Sequence, residues 1–403
     1  MGTPFPLSVN LLGWVVLAGK IEFEAIAAIV SLVVIAAALA LFLGVGQTGL
    51  AGLPAAGQGS GTVQIGVMLP LTGDNALYGE SFGTALELAR EEINARGGIL
   101  GKKVEFVVED SKCDAKAGVD AINSLVRLKG MKIVIAAECS GPTLSAAPVA
   151  EENKVLYLAA TASNPDIKNA GDYVFRTCPN DLQQGKDLAQ IVFSEGFRKT
   201  AVLNMDNAYG EGISGVFAEE FAGLGGSIAI KQKFNQNDTD FRTQLVKTKE
   251  SNPDSLFLVA YPKTYPAIIK QMRELGLEIQ LFSSDTFKDQ AVLDALGELA
   301  EGTIFSGYAE SGTAKFGEFR QAYRERYGKE YGPFGDYAYD SLYVLKAGIE
   351  QAKSFDPEVL KKTLYSLDYN GVTGETKFDS YGEVSKPYGV FIVKNGAFVP
   401  FSS

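Results

Sequence analysis

The chain of 403 residues contains no histidine, three cysteines and a single tryptophan. The missing histidine removes whole classes of chemistry. There can be no Ser-His-Asp or Cys-His nucleophile, no imidazole metal site and no imidazole pH switch. Positive charge is short too: 37 Lys and Arg stand against 48 Asp and Glu, a formal net charge of −11. A surface of that sign is a poor partner for nucleic acid, whose phosphates call for basic residues. Two phosphate-loop patterns also fail. Gly98–Lys103 (GILGKK) lacks the spacing and the hydroxyl residue of a P-loop. Gly44–Gly49 (GVGQTG) spells G-x-G-x-x-G but follows a long apolar run, with no βαβ unit around it. No carboxylate pair stands near a candidate nucleophile. The expectation is a protein that performs no chemistry and carries neither cofactor nor metal.

Charge is scarcest at the amino terminus. Residues 1–61 hold one basic residue, Lys20, and two acidic ones, Glu22 and Glu24. Ala25–Val45 (AIAAIVSLVVIAAALALFLGV) has no charge at all. At 1.5 Å per residue such a run covers roughly 30 Å, the thickness of a bilayer core. It predicts one transmembrane helix and an anchor over 1–45; a cleaved signal peptide would have a shorter apolar region. Lys20 precedes the run and the next basic residue is Arg90, which places the bulk of the chain outside the cytoplasm. Residues 46–61, rich in Gly and Ala, read as a flexible linker.

From Val63 the pattern alternates short apolar strands with helical segments, the mark of a parallel sheet covered by helices. One series runs over about 63–178 and a second over about 180–306; helices at 337–353 and 357–367 and strands at 374–378, 388–394 and 397–401 follow. The fold class is therefore α/β, with two doubly wound, Rossmann-like lobes facing each other. Ligands in such sheets bind outside the carboxyl ends of the strands.

The loops at those ends carry the candidate residues. Glu138-Cys-Ser-Gly-Pro-Thr143 opens a helix, so Ser140 and the first-turn amides make an anion site; the alternative is that Ser140 and Thr143 only cap the helix. Thr161, after the strand at 155–158, could donate to the same anion or simply serve a turn. Tyr261 and Asp285 directly follow strands at 255–259 and 279–283 and could together hold a cation, or could both face solvent. Cys113 and Cys139 follow adjacent strands, so a disulfide between them is plausible outside the membrane. Cys178 is left over and reads as a buried free thiol, since no cationic activator is evident.

Taken in order, IGVMLPLTGDNALYGESFGTALELAREEINARGGILGKKVEFVVEDSKCDAKAG (65–118), ECSGPTLSAAPVAEENKV (138–155), AATASNP (159–165), YVFRTCPND (173–181), DNAYGEG (206–212) and YAYDSLYVLKAG (337–348) resemble the leucine/isoleucine/valine-binding family of ABC-importer solute receptors. The resemblance covers about 62–403 and implies the type I periplasmic-binding fold. Lobe I would comprise 62–178 and 308–387, and lobe II 179–307 and 388–403, with hinge crossovers near 178, 308 and 388. It implies a free amino acid as ligand and an ABC permease as partner. The ligand carboxylate would lie at Ser140 and Thr161. Its ammonium would lie at the Ala159 carbonyl, Tyr261 and Asp285, with Tyr78, Glu138, Tyr209 and Phe334 lining the pocket. Cys113–Cys139 matches the family disulfide. Asp285 stands where the leucine-type proteins have Glu. Glu138 replaces an apolar residue, so it either favours a polar or cationic ligand side chain or points to solvent. Two alternatives accompany this expectation: a sensory ectodomain of the same fold, and a receptor for an amide, urea or aromatic acid.

Overall fold

The computed structural model describes residues 61–402. The expected transmembrane helix at 25–45, and all but the end of the expected linker, lie outside the described residues. Among those described, no helix is long and apolar enough to cross a membrane.

The first sheet is wholly parallel. Its strands β1 (Thr62–Leu69), β2 (Lys103–Asp110), β3 (Ile133–Ala136), β4 (Leu156–Ala159) and β5 (Val174–Arg176) lie in the order β2-β1-β3-β4-β5. Helices α1 (Ala76–Ala95), α2 (Ala115–Asn123) and α3 (Ser140–Glu152) make the connections that parallel pairing demands. In α1 the spacing of Phe82, Leu86, Ala89 and Ile93 puts four buried side chains on one stripe. Gly97 and Gly98 end that helix at φ +99° and +78°, and a Cβ on Gly98 would lie 1.9 Å from the Lys102 carbonyl oxygen. Glycine is what lets the chain turn straight into β2.

A second sheet is built from α4 (Asp181–Ser194), β6 (Lys199–Met205), α5 (Ala208–Gly223), β7 (Ser227–Phe234), α6 (Arg242–Glu250), β8 (Ser255–Val259), α7 (Tyr265–Glu274), β9 (Gln280–Ser283), α8 (Gln290–Leu296) and β10 (Ile304–Tyr308). The chain then returns to the first sheet through α9 (Ala314–Tyr327), α10 (Gly335–Ala352), α11 (Pro357–Leu364) and a small hairpin, β11 (Tyr369–Gly371) with β12 (Gly374–Thr376). It crosses once more so that β13 (Tyr388–Lys394) pairs antiparallel with β10, and β14 (Ala397–Pro400) with β13. The second sheet reads β14-β13-β10-β9-β8-β6-β7. Helix α10 packs on α1, where the Tyr339 and Tyr343 hydroxyls donate to Glu92 at 2.7 and 2.6 Å.

Helix α9 has no counterpart in the sequence reading. Six of its fourteen residues are charged, and its buried positions are the aromatics Phe316, Phe319 and Tyr323. Their spacing of three, then four, was the available signal.

Three segments link the two sheets, after β5, after β10 and before β13, and they run side by side. Buried Arg176, on β5, is ion-paired with Glu383, and its backbone N–H donates to the Gly382 carbonyl at 2.8 Å. Asn180 donates to the same Glu383 carboxylate at 2.7 Å, and the Ala309 amide donates to the Pro387 carbonyl at 3.4 Å. Cys178 lies buried against Tyr308 and Tyr337, its thiol donating to the Ala162 carbonyl at 3.2 Å. Burial pushes that thiol up to about 12 despite nearby Arg176, so it stays protonated and inert.

Candidate functional site

Strand order decides where the cleft lies. In the first sheet β1 sits between β2 and β3, and in the second β6 sits between β7 and β8; at each point the connections diverge to opposite faces and leave a crevice. The two crevices face one another around a small enclosed space of about 30 Å³. That is room for a water or two, far below the roughly 300–1,000 Å³ of small-molecule sites, so the lobes must part to admit a ligand. The first lobe lines it with Tyr78, Phe82, Glu138, Cys139, Ser140, Thr161, Ser163 and Phe334; the second contributes Tyr209, Tyr261, Asp285 and Thr286.

On the first-lobe wall, α3 starts at buried Ser140 with no side-chain cap. Thr143 does not cap the helix either, because its hydroxyl turns to Glu138 Oε1 at 3.4 Å. The amides of Ser140 and Gly141 are therefore available at the positive end of the helix dipole, a place suited to an anion. The Ser140 hydroxyl accepts from the Asn164 amide at 3.3 Å and keeps its own proton to give. Thr161 lines the cleft, but its hydroxyl donates to the Glu138 carbonyl at 2.9 Å. Ala159 is not part of the lining, and its carbonyl already accepts from the Thr177 amide at 3.0 Å. The Cys113–Cys139 disulfide, with a Cα–Cα distance of 5.3 Å, ties the loop before α3 to the end of β2.

Glu138 does not point to solvent; it is 1 % exposed. Its position after Ala136 and Ala137 continues the strand alternation and turns the side chain under α3. There the Tyr157 hydroxyl donates to Oε1 at 3.1 Å. Burial raises this carboxyl to about 7, against the favourable pull of Ser111, Tyr157 and Thr143.

The second-lobe wall centres on Asp285, 3 % exposed at the end of β9. Tyr209 Oη lies 2.7 Å from its Oδ1, and Gln184 donates to the same oxygen at 3.1 Å. Burial raises the Asp285 carboxyl above its ordinary range, and these hydrogen bonds work in the opposite direction. Behind it stands Asp181, fully buried, with Oδ2 accepting from Ser163 at 2.9 Å and Oδ1 without a hydrogen-bond partner among the described residues. Burial, with Asp285 close by, holds Asp181 well above the usual range. Sequence reasoning passed over Asp181 and Gln184. They lie three residues apart on the first turn of α4, one face of a helix opening at a crossover, and that placement was the available signal.

Aromatic rings close the site. Tyr78 meets Tyr261 edge-on at 6.1 Å across the lobes, Tyr209 stacks on Tyr261 at 5.6 Å, and Phe334 leans on Tyr78 at 5.8 Å. Burial raises the Tyr78, Tyr209 and Tyr261 phenols, so all three remain neutral donors. Phe334 adopts φ +58°, a left-handed conformation that costs about 1–3 kcal/mol for a non-glycine residue and gathers at binding sites. The lobes also touch directly: Asn164 donates to the Ala208 carbonyl at 2.5 Å, and Lys263 is ion-paired with Asp74 at the cleft mouth.

Two lobes, three linking segments and a cleft at both switch points describe a hinged binding protein. The chain belongs to the periplasmic binding protein family, whose model matches residues 62–397. Membership implies that the folded body works outside the cytoplasm. The leucine-, isoleucine-, valine-, threonine-, and alanine-binding protein of Pseudomonas aeruginosa is 27% identical over 338 residues, 83% of this chain and 90% of its own. A leucine binding protein, LivK, from Thermotoga maritima superposes with a TM-score of 0.79 at 28% identity, covering 85% of this chain and 98% of that one. An ABC-transporter solute binding protein from R. palustris in complex with benzoate gives 0.77 at 20% identity, covering 84% and 95%, a likeness of fold alone.

Proposed function

We propose that this chain is the substrate-binding component of an ABC importer and captures a free α-amino acid between its lobes. Asp285 carries the reading. A buried carboxylate on one wall of the cleft, with the bare amino-terminal turn of α3 on the other, complements a molecule bearing both an ammonium and a carboxylate. Ser140 and the α3 amides receive the carboxylate; Asp285, Tyr209 and Tyr261 surround the ammonium. Thr161 supports the anion side through the Glu138 carbonyl. An aromatic acid would satisfy the α3 side and leave Asp285 buried without a cation, which is costly. The ligand touches both lobes only when they close, so it shifts the open–closed equilibrium by its differential affinity for the closed state. The closed form is then what a permease would accept, and the apolar run at 25–45 would hold the receptor at the membrane.

A thermal-unfolding panel of the twenty amino acids with amides, urea and benzoate tests this reading. A ligand at 100 times its dissociation constant adds about 2.7 kcal/mol of stability. A response to benzoate or urea with none to any α-amino acid would refute it.

A further inference from the structure

The cleft holds a second acid that the zwitterion does not use. Glu138 lines it and is buried, yet only one of its oxygens is engaged. Oε1 accepts from Tyr157 and Thr143, at 3.1 and 3.4 Å. Oε2 is buried with no hydrogen-bond partner among the described residues; the Ser111 hydroxyl stands near enough to favour ionisation but outside hydrogen-bonding geometry. No lysine or arginine is among the groups acting on this carboxyl. Arg176, a buried guanidinium by the crossovers, is already committed to Glu383 and to the Asn164 carbonyl.

We infer that Glu138 selects the ligand's side chain, and that this receptor prefers an α-amino acid ending in a cation, an ammonium or a guanidinium, over one ending in methyl groups. The inference rests on the amino-acid reading above and names the subclass. Two carboxyls line the cleft, Glu138 and Asp285, with Asp181 behind the second. A zwitterion with an apolar side chain brings one positive charge, and the α3 turn takes its negative one. That leaves the Glu138 carboxyl at the cleft without a cation, either ionised without a partner or kept protonated. Both arrangements are unfavourable in a buried site. A second positive charge on the ligand removes the conflict. Polar groups left unpaired by the wrong ligand are what make such sites selective.

The test is calorimetric titration of the purified protein at pH 8 with lysine, ornithine, arginine, glutamine, leucine and isoleucine. At least one of the three basic amino acids should bind at least about tenfold tighter than leucine or isoleucine. Glu138→Leu should reverse that order. Glu138→Gln, which keeps the shape and one hydrogen-bonding oxygen, should lose the preference, so the idea stays testable if the leucine variant does not fold. A wild-type protein that binds leucine, isoleucine or glutamine as tightly as every basic amino acid overturns the inference and leaves the role of Asp285 intact. Absence of binding by any α-amino acid instead overturns the reading on which it rests.

Discussion

Replacing Glu138 by Gln should make the ligand-free protein more stable at alkaline pH and leave it nearly unchanged in acid. In the folded chain this carboxyl keeps its proton up to about pH 7, because ionising it means placing a charge among Tyr157, Thr143, Ser111 and the buried face beneath α3. Unfolded, it releases the proton near the ordinary glutamate value of 4.5. Below pH 4.5 both states are protonated and the group exerts no pH dependence. Between 4.5 and 7 the unfolded state gives up its proton first, so stability falls as pH rises, and above 7 the loss is complete. Across about 2.5 pH, at about 1.4 kcal/mol each, the loss reaches about 3.5 kcal/mol. Glutamine does not titrate, so the variant lacks this component. Other raised carboxyls, Asp181, Asp187, Asp285, Asp289, Asp336 and Asp340, titrate in both proteins and cancel in the difference. With unfolding entropy near 2.1 cal/mol/K per residue over roughly 340 residues, about 3.5 kcal/mol corresponds to a midpoint shift of about 5 °C. Scanning calorimetry of both proteins from pH 4.5 to 8.5 measures it. A difference in midpoint that stays constant across that range would refute the buried-acid argument.

Asp285→Asn and Ser140→Ala should each weaken amino-acid binding by at least about tenfold, about 1.4 kcal/mol, in calorimetric titration; near-normal affinity in both would dissolve the proposed site. Gly212, on α5, approaches the first lobe so closely that a Cβ would lie 2.5 Å from Asn164 Nδ2 and 3.0 Å from Pro165 Cδ. Gly212→Ala should therefore lower ligand affinity by holding the lobes apart at this contact, read by calorimetric titration. An unchanged affinity would mean that the contact can be relieved without moving the lobes. Glu383→Ala strands the buried Arg176 guanidinium, and denaturant titration should show a loss of about 3–5 kcal/mol. A loss under about 1 kcal/mol would mean that water reaches the arginine.

The alternation of apolar strands with amphipathic helices exposed the α/β class, because β3, β4, β8 and β10 are buried along their whole length and α1 shows its stripe. Tyr261 and Asp285 could be placed because each directly follows such a strand. Other features depended on tertiary context. Glu138 could face a ligand or solvent on the sequence, and only β4 and α3, through Tyr157 and Thr143, show it enclosed. Asp181 reads as a helix-opening acid until Ser163 and Asp285 approach from other elements. The Thr161 hydroxyl chose a backbone acceptor, Glu138, 23 residues away. Local spacing reports which face of an element a residue occupies, but not which distant element covers it.

The return of the chain to the first sheet also constrains how the protein is made. The first lobe is not complete when its five strands have emerged. Helix α1 waits for α10, and the Glu92 bonds to Tyr339 and Tyr343 span 247 and 251 residues. At about 5–20 residues per second, a nascent chain needs roughly 12–50 s to supply that cover. During this interval α1 can pack on β1 and β2 but lacks the cover of α10 on its other side. The whole second lobe is synthesised meanwhile and can fold first, so the half-built lobe is the species that a chaperone would have to shield.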